Sequence, residues 1–333
     1  MAQMTPYWQD ICQASHRLKL PREGNILITG ATGLIGGCLI DLLMQHCSCQ
    51  IYALGRNAQR ARQRFANYWN NTNFHFVQYD VCQPLSLNVD FQYIIHAASN
   101  ASPNYFHLSP VEVMKANLNG LISLIDYGRN HGLQRMVYVS SGEVYGEGDG
   151  KVFAESNMGY IDILSPRACY PSAKRAAETL CASYNAEYDT HITIARPCHT
   201  YGPFFTENDN RVYAQFVRNV LSGEDIILKS KGEQSRSWIY VVDCAVAILL
   251  LLTEGKSGTA YNIANTESNI TIRELAEKVA AIAHRRVVLD IGNTSEPPAI
   301  TRAVFSIEKI EELGWHPLFN IDEGLRHTIA SMC

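Results

Sequence analysis

The chain has 333 residues, of which 47% are hydrophobic and 18% are charged. This composition can bury one large core or two smaller ones and excludes a disordered or fibrous protein. Lys and Arg number 28 against 32 Asp and Glu, a formal net charge of -4, and no block of like charge is present that would bind a nucleic acid or an anionic membrane. The composition favours chemistry on a small molecule.

The N-terminal segment is predicted to be an extension of the fold. Residues 1–10 lack a basic stretch followed by an apolar one, so we expect no secretory signal and a cytoplasmic location. Residues 5–20 form a short amphipathic segment that ends at Pro21. We assign residues 1–23 to the extension and expect this segment to pack outside the fold.

From residue 24, apolar runs of strand length alternate with segments that are mostly long enough for helices. The runs are Asn25–Gly30, Gln50–Leu54, Phe74–Tyr79, Phe91–His96, Gln134–Ser140 and His191–Ala195. This alternation predicts an α/β fold with a Rossmann-like, doubly wound parallel sheet. We assign residues 24–200 to this dinucleotide-binding domain, with a strand and a helix returning to it from about 236–264.

After Arg196 the pattern changes to loops and shorter elements. The predicted elements are the helix Val212–Leu221, the short strand Asp225–Lys229, and the helices Val242–Leu252 and Ile272–Ala283. The third contains an apolar run of eight residues that is too short to span a membrane and predicts a buried helix. Thr271 and Glu274 predict an N-terminal capping box for the fourth. Residues 201–235 and 265–333 are assigned to a smaller, mixed α/β substrate lobe.

The ten cysteines predict neither disulfides nor a metal site. Only Cys47 and Cys49 lie close together in the sequence. No second Cys/His pair accompanies them at the spacing of a zinc site. We therefore expect reduced thiols, mostly filling the core.

A glycine motif follows the first predicted strand. Gly30, Gly33 and Gly36 lie in Thr29-Gly-Ala-Thr-Gly-Leu-Ile-Gly36, at the start of the first helix. Glycines at these positions allow a tight turn and let backbone N–H groups, including those of Leu34 and Ile35, approach a pyrophosphate. The motif predicts a dinucleotide site.

The type of nicotinamide cofactor depends on the end of the second strand. An NAD site usually has an acid there for the ribose 2'-hydroxyl, but this chain has Gly55-Arg56. Arg56 suits a 2'-phosphate and slightly favours NADP, although it could also be a solvated surface arginine. Asp80 could accept a hydrogen bond from the adenine amino group. The remaining residues expected at the cofactor are Val81, Ala97, Ala98, Ser99, Asn117 and Pro197.

Tyr170 and Lys174 are four residues apart and therefore lie on one face of a predicted helix. The lysine cation, together with a positive nicotinamide ring, would lower the pKa of the phenol so that Tyr170 can accept a proton from a sugar hydroxyl. Ser141 would contact the same substrate oxygen. Glu143 would act as acid or base at a neighbouring carbon. Either residue could instead belong to an ordinary polar loop.

These motifs resemble the extended short-chain dehydrogenase/reductases that modify nucleotide sugars, in the NAD-dependent epimerase/dehydratase family. The closest resemblance is to UDP-glucuronate decarboxylases, and it covers about residues 25–330. It rests on the segments 101–105, 166–170, 174–179 and 208–212, together with Ser140-Ser-Gly-Glu-Val-Tyr-Gly146.

The resemblance implies a nucleotide-sugar substrate, NAD as the cofactor and a homodimer that pairs through helices, one of them Tyr170–Tyr188. It implies catalytic roles for Ser141, Glu143, Tyr170 and Lys174. It also implies substrate contacts for Ser102, Tyr105, His199, Arg211 and Arg236.

Two departures leave the reaction open. Gly142 stands where decarboxylases have serine and dehydratases have aspartate, and Gly55-Arg56 replaces the acid of the decarboxylases. All the candidate enzymes share a 4-keto sugar. They are a decarboxylase or 4,6-dehydratase, an NADPH-dependent 4-keto-sugar reductase, and a 4-epimerase. A non-catalytic NADP sensor is a further alternative.

Overall fold

The computed structural model describes residues 4–291 and 302–333. Residues 1–3 of the predicted extension and 292–301 of the predicted substrate lobe lie outside this part of the chain.

The strands and helices are named in chain order. The strands are β1 (Asn25–Thr29), β2 (Gln50–Gly55), β3 (Phe74–Gln78), β4 (Tyr93–His96), β5 (Arg135–Val139), β6 (Ile192–Pro197), β7 (His199–Tyr201), β8 (Ile226–Leu228), β9 (Ser235–Tyr240), β10 (Ala260–Ile263), β11 (Asn265–Thr271), β12 (Val287–Leu289) and β13 (Arg302–Ala303). The helices are α1 (Pro6–Ser15), α2 (Leu34–His46), α3 (Ala58–Arg64), α4 (Pro103–Leu108), α5 (Pro110–Asn130), α6 (Cys169–Tyr188), α7 (Val212–Leu221), α8 (Val241–Glu254), α9 (Ile272–Ile282), α10 (Glu308–Glu311) and α11 (Ile321–Ala330).

A seven-stranded parallel sheet has the order β10-β6-β5-β4-β1-β2-β3. Its inner strands are buried on both faces, as their continuous apolar sequences require. The chain winds outward from β1 to β3 and then returns beside β1 with β4, so the strand order reverses between β1 and β4. The predicted doubly wound parallel sheet is confirmed, and this reversal is where such sheets bind ligands.

Two smaller sheets follow in the chain. In one, β9 pairs parallel with β7 and β13 and antiparallel with β11. In the other, β8 pairs with β12. Because β9 pairs within the first of these sheets, the chain returns to the large sheet with α8 and β10, slightly later than the sequence predicted.

The predicted helices agree closely with those of the structure. Helix α7 has the predicted bounds, and α9 begins with the capping box of Thr271 and Glu274. The apolar run lies in α8, which is buried along most of its length and packs against α2. No helix of the described residues is both long and apolar enough to cross a bilayer. All ten cysteines are free.

The prediction that the N-terminal segment packs outside the fold was wrong. Helix α1 packs against α2, α8 and α11, and Ile11 is fully buried. The Tyr7 hydroxyl donates to Asp41 at 2.6 Å, and the Tyr240 hydroxyl donates to Asp10 at 2.9 Å. The apolar face of this amphipathic helix is therefore part of the core, and Tyr7 and Asp10 have hydrogen-bond partners on the main fold.

Candidate active site

Two adjoining cavities lie at the carboxyl ends of the parallel strands. The first, of about 600 Å³, is lined by the glycine motif and by residues that follow β2, β3 and β4. The second, of about 670 Å³, is lined by residues that follow β5 and β6 and by the start of α6. They share Ile35, Ala97, Ser99, Ala101 and Arg211. A ligand of two connected parts could therefore occupy both.

The glycine motif lies so close to neighbouring backbone that side chains at Gly30 and Gly36 would not fit. Gly30 has a φ of +68°, and a Cβ atom there would lie 2.7 Å from the carbonyl oxygen of Ala97. A Cβ atom on Gly36 would overlap the carbonyl oxygen of Gly30. The N-terminus of α2 thus approaches the ends of β1 and β4 closely, which fits a pyrophosphate at a helix N-terminus.

The outer end of the first cavity carries two cations. Arg56, after β2, donates to the Asn100 side chain at 3.4 Å. Arg60 lies one turn further along the chain and lines the same cavity, as does Asp80. Sequence reasoning missed Arg60, which lies in the first turn of α3, whereas Arg56 lies before that helix.

The other residues predicted at the cofactor differ in depth. Val81 and Ala98 line the first cavity, and Pro197 lines the second. Asn117 is fully buried and lines neither of them. Its side-chain oxygen accepts a hydrogen bond from Ser99 at 3.1 Å, so it supports the cavity wall from behind.

Ser141, Tyr170 and Lys174 line the second cavity together. The Lys174 ammonium donates to the Val139 carbonyl at 2.8 Å and lies 5.7 Å from the centre of the Tyr170 ring. Ser141 caps a single 3-10 turn, where its hydroxyl accepts from the Glu143 backbone N–H at 3.2 Å. The turn after β5 and the first two turns of α6 therefore bring the three side chains together.

In the protein alone the pKa of the phenol is raised, whereas the prediction concerned a phenol beside a charged lysine and a positive nicotinamide ring. Burial, followed by the charge of Glu143, raises the pKa of Tyr170 to about 12, against the opposing effects of a hydrogen bond with Ser141 and the charge of Arg211. Burial also lowers the pKa of Lys174 to about 7. The protein's own residues thus do not lower the pKa of Tyr170, because the cost of burying a phenolate exceeds the attraction of its neighbours.

Buried polar groups support the end of β5. The Ser140 hydroxyl donates to Glu178 at 2.5 Å, and Glu178 forms an ion pair with Arg196. Arg196 also donates to the hydroxyl of Tyr145 at 3.0 Å. This network joins β5, α6 and β6 just behind Ser141.

Glu143 is held between cations. The Arg167 side chain donates to both of its carboxylate oxygens, at 3.1 and 3.2 Å. Arg236, on β9, lies close enough for its pKa to be affected: burial lowers that pKa, and the charge of Glu143 opposes the effect. All three side chains line the second cavity, so Glu143 faces it with its orientation constrained.

His199 also lines the second cavity, with its ring 5.2 Å from that of Trp238. The side chain is exposed at the surface of the cavity, but many protein atoms surround this part of the cavity. Burial and then the charges of Arg236 and Arg211 lower its pKa to about 3. The ring is therefore neutral at pH 7 and can act as a hydrogen-bond donor or acceptor.

The remaining residues predicted at the substrate are Arg211, Ser102 and Tyr105. Arg211 lines both and forms an ion pair with Asp209 at 2.5 Å. Ser102 and Tyr105 line the first cavity, and the Ser102 hydroxyl hydrogen-bonds to Asn210. Arg211 alone among the substrate predictions is thus shared by the two cavities.

Arg167 and Phe305 are among the residues of the second cavity that sequence reasoning missed. Arg167 precedes Tyr170 by three residues and lies in the 3-10 turn Pro166–Ala168 that leads into α6. Phe305 packs against Gly142 from far along the chain, and no local sequence signal indicates that contact. Within residues 4–291 and 302–333, no group of three or more His, Cys, Asp or Glu side chains could hold a metal ion.

Comparisons with known proteins agree with this fold. The model of the NAD dependent epimerase/dehydratase family matches residues 26–264. UDP-glucuronic acid decarboxylase 6 of Arabidopsis thaliana is 33% identical over 301 residues, which cover 90% of this chain and 86% of the relative.

Solved structures are also similar. One is a UDP-N-acetylglucosamine 4-epimerase from Methanobrevibacter ruminantium, solved with UDP-N-acetylmuramic acid, with a TM-score of 0.81, 23% identity and coverage of 93% of this chain and 98% of the other. Another is a dTDP-glucose 4,6-dehydratase from Bacillus anthracis, solved with NAD, with a TM-score of 0.76, 23% identity and coverage of 92% and 95%. From the family match and the decarboxylase relative, the chain belongs to the NAD dependent epimerase/dehydratase family.

Proposed function

We propose that the protein is an NAD(P)-dependent enzyme that modifies a nucleotide sugar through a 4-keto intermediate, with decarboxylation of a nucleotide-linked uronic acid as the leading reaction. One observation carries this proposal. Ser141, Glu143, Tyr170 and Lys174 line a single cavity that shares a wall with the glycine-lined one. A proton-transfer group therefore lies beside the place where a dinucleotide fits.

The first cavity would hold the dinucleotide. The turn from Gly30 to Gly36 would receive the pyrophosphate, and Ala97 to Ser99 would approach the nicotinamide half. When bound, a nicotinamide cofactor supplies a reversible hydride acceptor. We expect NADP rather than NAD, because Arg56 and Arg60 line the cavity and the position after β2 carries no acid.

Tyr170 would remove the proton from the sugar's 4-hydroxyl as that carbon is oxidised. Ser141 would hydrogen-bond to the same oxygen and guide its position. Lys174 would stabilise the deprotonated phenol when charged. Since the pKa of Tyr170 is about 12 and that of Lys174 about 7, the pair would function best once a bound ligand adds positive charge near the phenol.

The ketone at C4 makes a C5 carboxylate a β-keto acid. Breaking the bond from C5 to the carboxyl carbon then releases carbon dioxide, and the electron pair passes into the enolate of the ketone. A proton must next be added at C5, and Glu143 would deliver it. Arg236 would orient the carboxylate, and Arg211 would bind the phosphates. The hydride first taken from C4 would then return to that carbon while Tyr170 returns the proton to the oxygen, which completes the cycle.

A second candidate rests on Gly142. This position offers no hydroxyl or carboxylate to assist at C5, so a reaction confined to C4 also suits the cavity. A 4-epimerase or a 4-keto-sugar reductase would use Ser141, Tyr170 and Lys174 without Glu143.

We further propose a homodimer formed through α5 and α6, a substrate lobe made of residues 201–235 and 265–333, and a cytoplasmic role in forming precursors of polysaccharides or glycoconjugates. The helical pairing of α5 with α6 in the monomer gives two long neighbouring helices from which such a dimer could be built.

The decisive experiment is incubation of the purified protein with UDP-, dTDP-, GDP- and CDP-sugars, with NAD or NADP, and detection of the products by mass. Loss of carbon dioxide supports decarboxylation. Loss of water, gain of two hydrogens or a change of configuration at constant mass would instead identify the dehydratase, reductase or epimerase. The Y170F variant is the matched control, since it removes only the hydroxyl. Turnover by Y170F equal to that of the unchanged protein would contradict the proposal.

A further inference from the structure

Phe106 connects the two proton-transfer residues of the proposed site. Its ring is fully buried and stacks on the Tyr170 ring, with centroids 4.8 Å apart and planes at 18°. The guanidinium carbon of Arg167 lies 4.7 Å from the centroid of the same ring. Arg167 in turn binds both carboxylate oxygens of Glu143. Tyr170, Phe106, Arg167 and Glu143 thus form one continuous series of contacts.

Arg167 is well placed to fix the carboxylate. It lies in the single 3-10 turn Pro166–Ala168, immediately before α6, so its backbone is anchored to the helix that carries Tyr170. Its side chain is 43% exposed, and an ion pair of that exposure is weak when both partners are free to move. The aromatic contact with Phe106 restricts the guanidinium, and its two hydrogen bonds then restrict Glu143.

Arg236 is carried by a different element. It lies on β9 and lines the same cavity, and one of its hydrogen bonds goes to the Ser235 carbonyl at 2.8 Å. Its position therefore does not depend on α6. Arg167 lies in the turn that leads directly into α6, which carries Tyr170. Any shift of this segment would therefore move Arg167 and the phenol together relative to the reacting carbon.

We propose that Arg167, supported by Phe106, is a positioning residue that sets the orientation of the Glu143 carboxylate toward C5 of the sugar. This inference rests on the proposed function, in which Glu143 transfers the C5 proton. Binding of the nucleotide and oxidation at C4 do not require it, because the phosphates and the 4-hydroxyl are assigned to other residues.

The test compares R167M, R167K and E143Q in the full-length enzyme with the nucleotide sugar that it converts. For R167M we expect kcat to fall about tenfold or more, as part of the 10²–10⁴-fold effect of a proton-transfer group is lost, while KM changes little. Incorporation of solvent deuterium at C5 should fall in parallel, whereas oxidation at C4 in a single turnover should not. R167K, which keeps the charge but loses the planar fork, should recover only part of the rate.

The double variant R167M/E143Q separates positioning from other roles. If Arg167 acts through Glu143, the double variant is no slower than E143Q alone. The control is R273M, which removes an arginine on α9 that pairs with Glu277 at 2.9 Å and lines neither cavity. It should leave kcat and KM unchanged.

Three results would overturn the inference. R167M could raise KM without changing kcat, which would make Arg167 a substrate-binding residue. The losses in R167M and E143Q could be additive. R167K could have the same kcat as the unchanged enzyme. That result would reject a role for the planar guanidinium even if R167M fails to fold. If E143Q itself turns over normally, the proposed role of Glu143 fails as well, whereas an impaired E143Q beside a normal R167M rejects only the role of Arg167.

Discussion

The ring of Phe305 lies directly against the backbone of Gly142: a Cβ atom on Gly142 would be 2.6 Å from the ring's Cζ atom. Phe305 is itself fixed within an aromatic cluster, 5.4 Å from the Tyr145 ring and 5.9 Å from the Phe153 ring. The glycine at position 142 is therefore coupled to a residue far along the chain. A side chain at 142 requires this ring to move.

We expect G142S to be destabilised by about 1–3 kcal/mol, the usual cost of overpacking. F305L, which shortens the obstructing side chain, should recover part of that loss when combined with G142S. Urea unfolding of the two single variants and of the double variant measures the coupling. Losses that simply add would show that Phe305 does not restrict position 142.

E143Q should lower the pKa of Tyr170. The charge of Glu143 is the second largest cause that raises this pKa to about 12, after burial. Its removal leaves the attraction of Arg211 less opposed, so the phenolate should form at a lower pH. Ultraviolet difference titration of tyrosinate, with E143Q/Y170F as the reference, isolates the signal of this residue. An unchanged midpoint would show that Glu143 does not influence the phenol.

The sequence predicted the large sheet well because its strands and turns are marked by residues that are neighbours in the chain. Each inner strand is a continuous apolar run, and the three glycines mark the turn that opens α2. Position 142 is different. Its glycine could be read from the sequence, but the reason for it lies in Phe305, which follows more than 150 residues later. The surroundings of Tyr170 are similar in this respect: the Lys174 spacing is visible in the sequence, whereas the burial that raises the phenol's pKa involves packing by Phe106 from another element.

Arg56 and Arg60 should set a preference for NADP. A charged hydrogen bond to a phosphate contributes about 1.5–3 kcal/mol. We therefore expect R56A and R60A each to weaken NADP binding by about ten- to a hundredfold and to affect NAD binding much less. R62A is the matched control, because Arg62 is on the same helix but packs over Trp69 at 4.9 Å. Titration calorimetry with both dinucleotides provides the measurement, and equal losses for NAD and NADP would contradict a 2'-phosphate site.

His96 should make the fold sensitive to acid. It is buried next to Thr29, whose hydroxyl lies 2.7 Å from its Nδ1, and burial followed by the charge of Lys174 lowers its pKa from 6.5 to about 3. The unfolded chain therefore binds a proton on this residue before the folded protein does. Its contribution is constant above pH 6.5, and stability is lost as the pH falls from 6.5 toward 3, by about 1.4 kcal/mol per unit. H96Q should have a shallower loss of unfolding free energy in this range, and the exposed H107Q should not. Parallel curves for H96Q and the unchanged protein would contradict the assignment.

Helix α1 should contribute directly to the stability of the main fold, since its apolar face is part of the core. Ile11 is fully buried, and its truncation to alanine should cost about 2–5 kcal/mol through lost burial and the cavity that remains. Q13A, at an exposed position of the same helix, changes helix propensity with almost no loss of packing and serves as the control. Thermal and urea unfolding of both variants should give one cooperative transition, lowered only in I11A. A near-native midpoint for I11A would mean that α1 is a detachable extension, as its sequence alone had indicated.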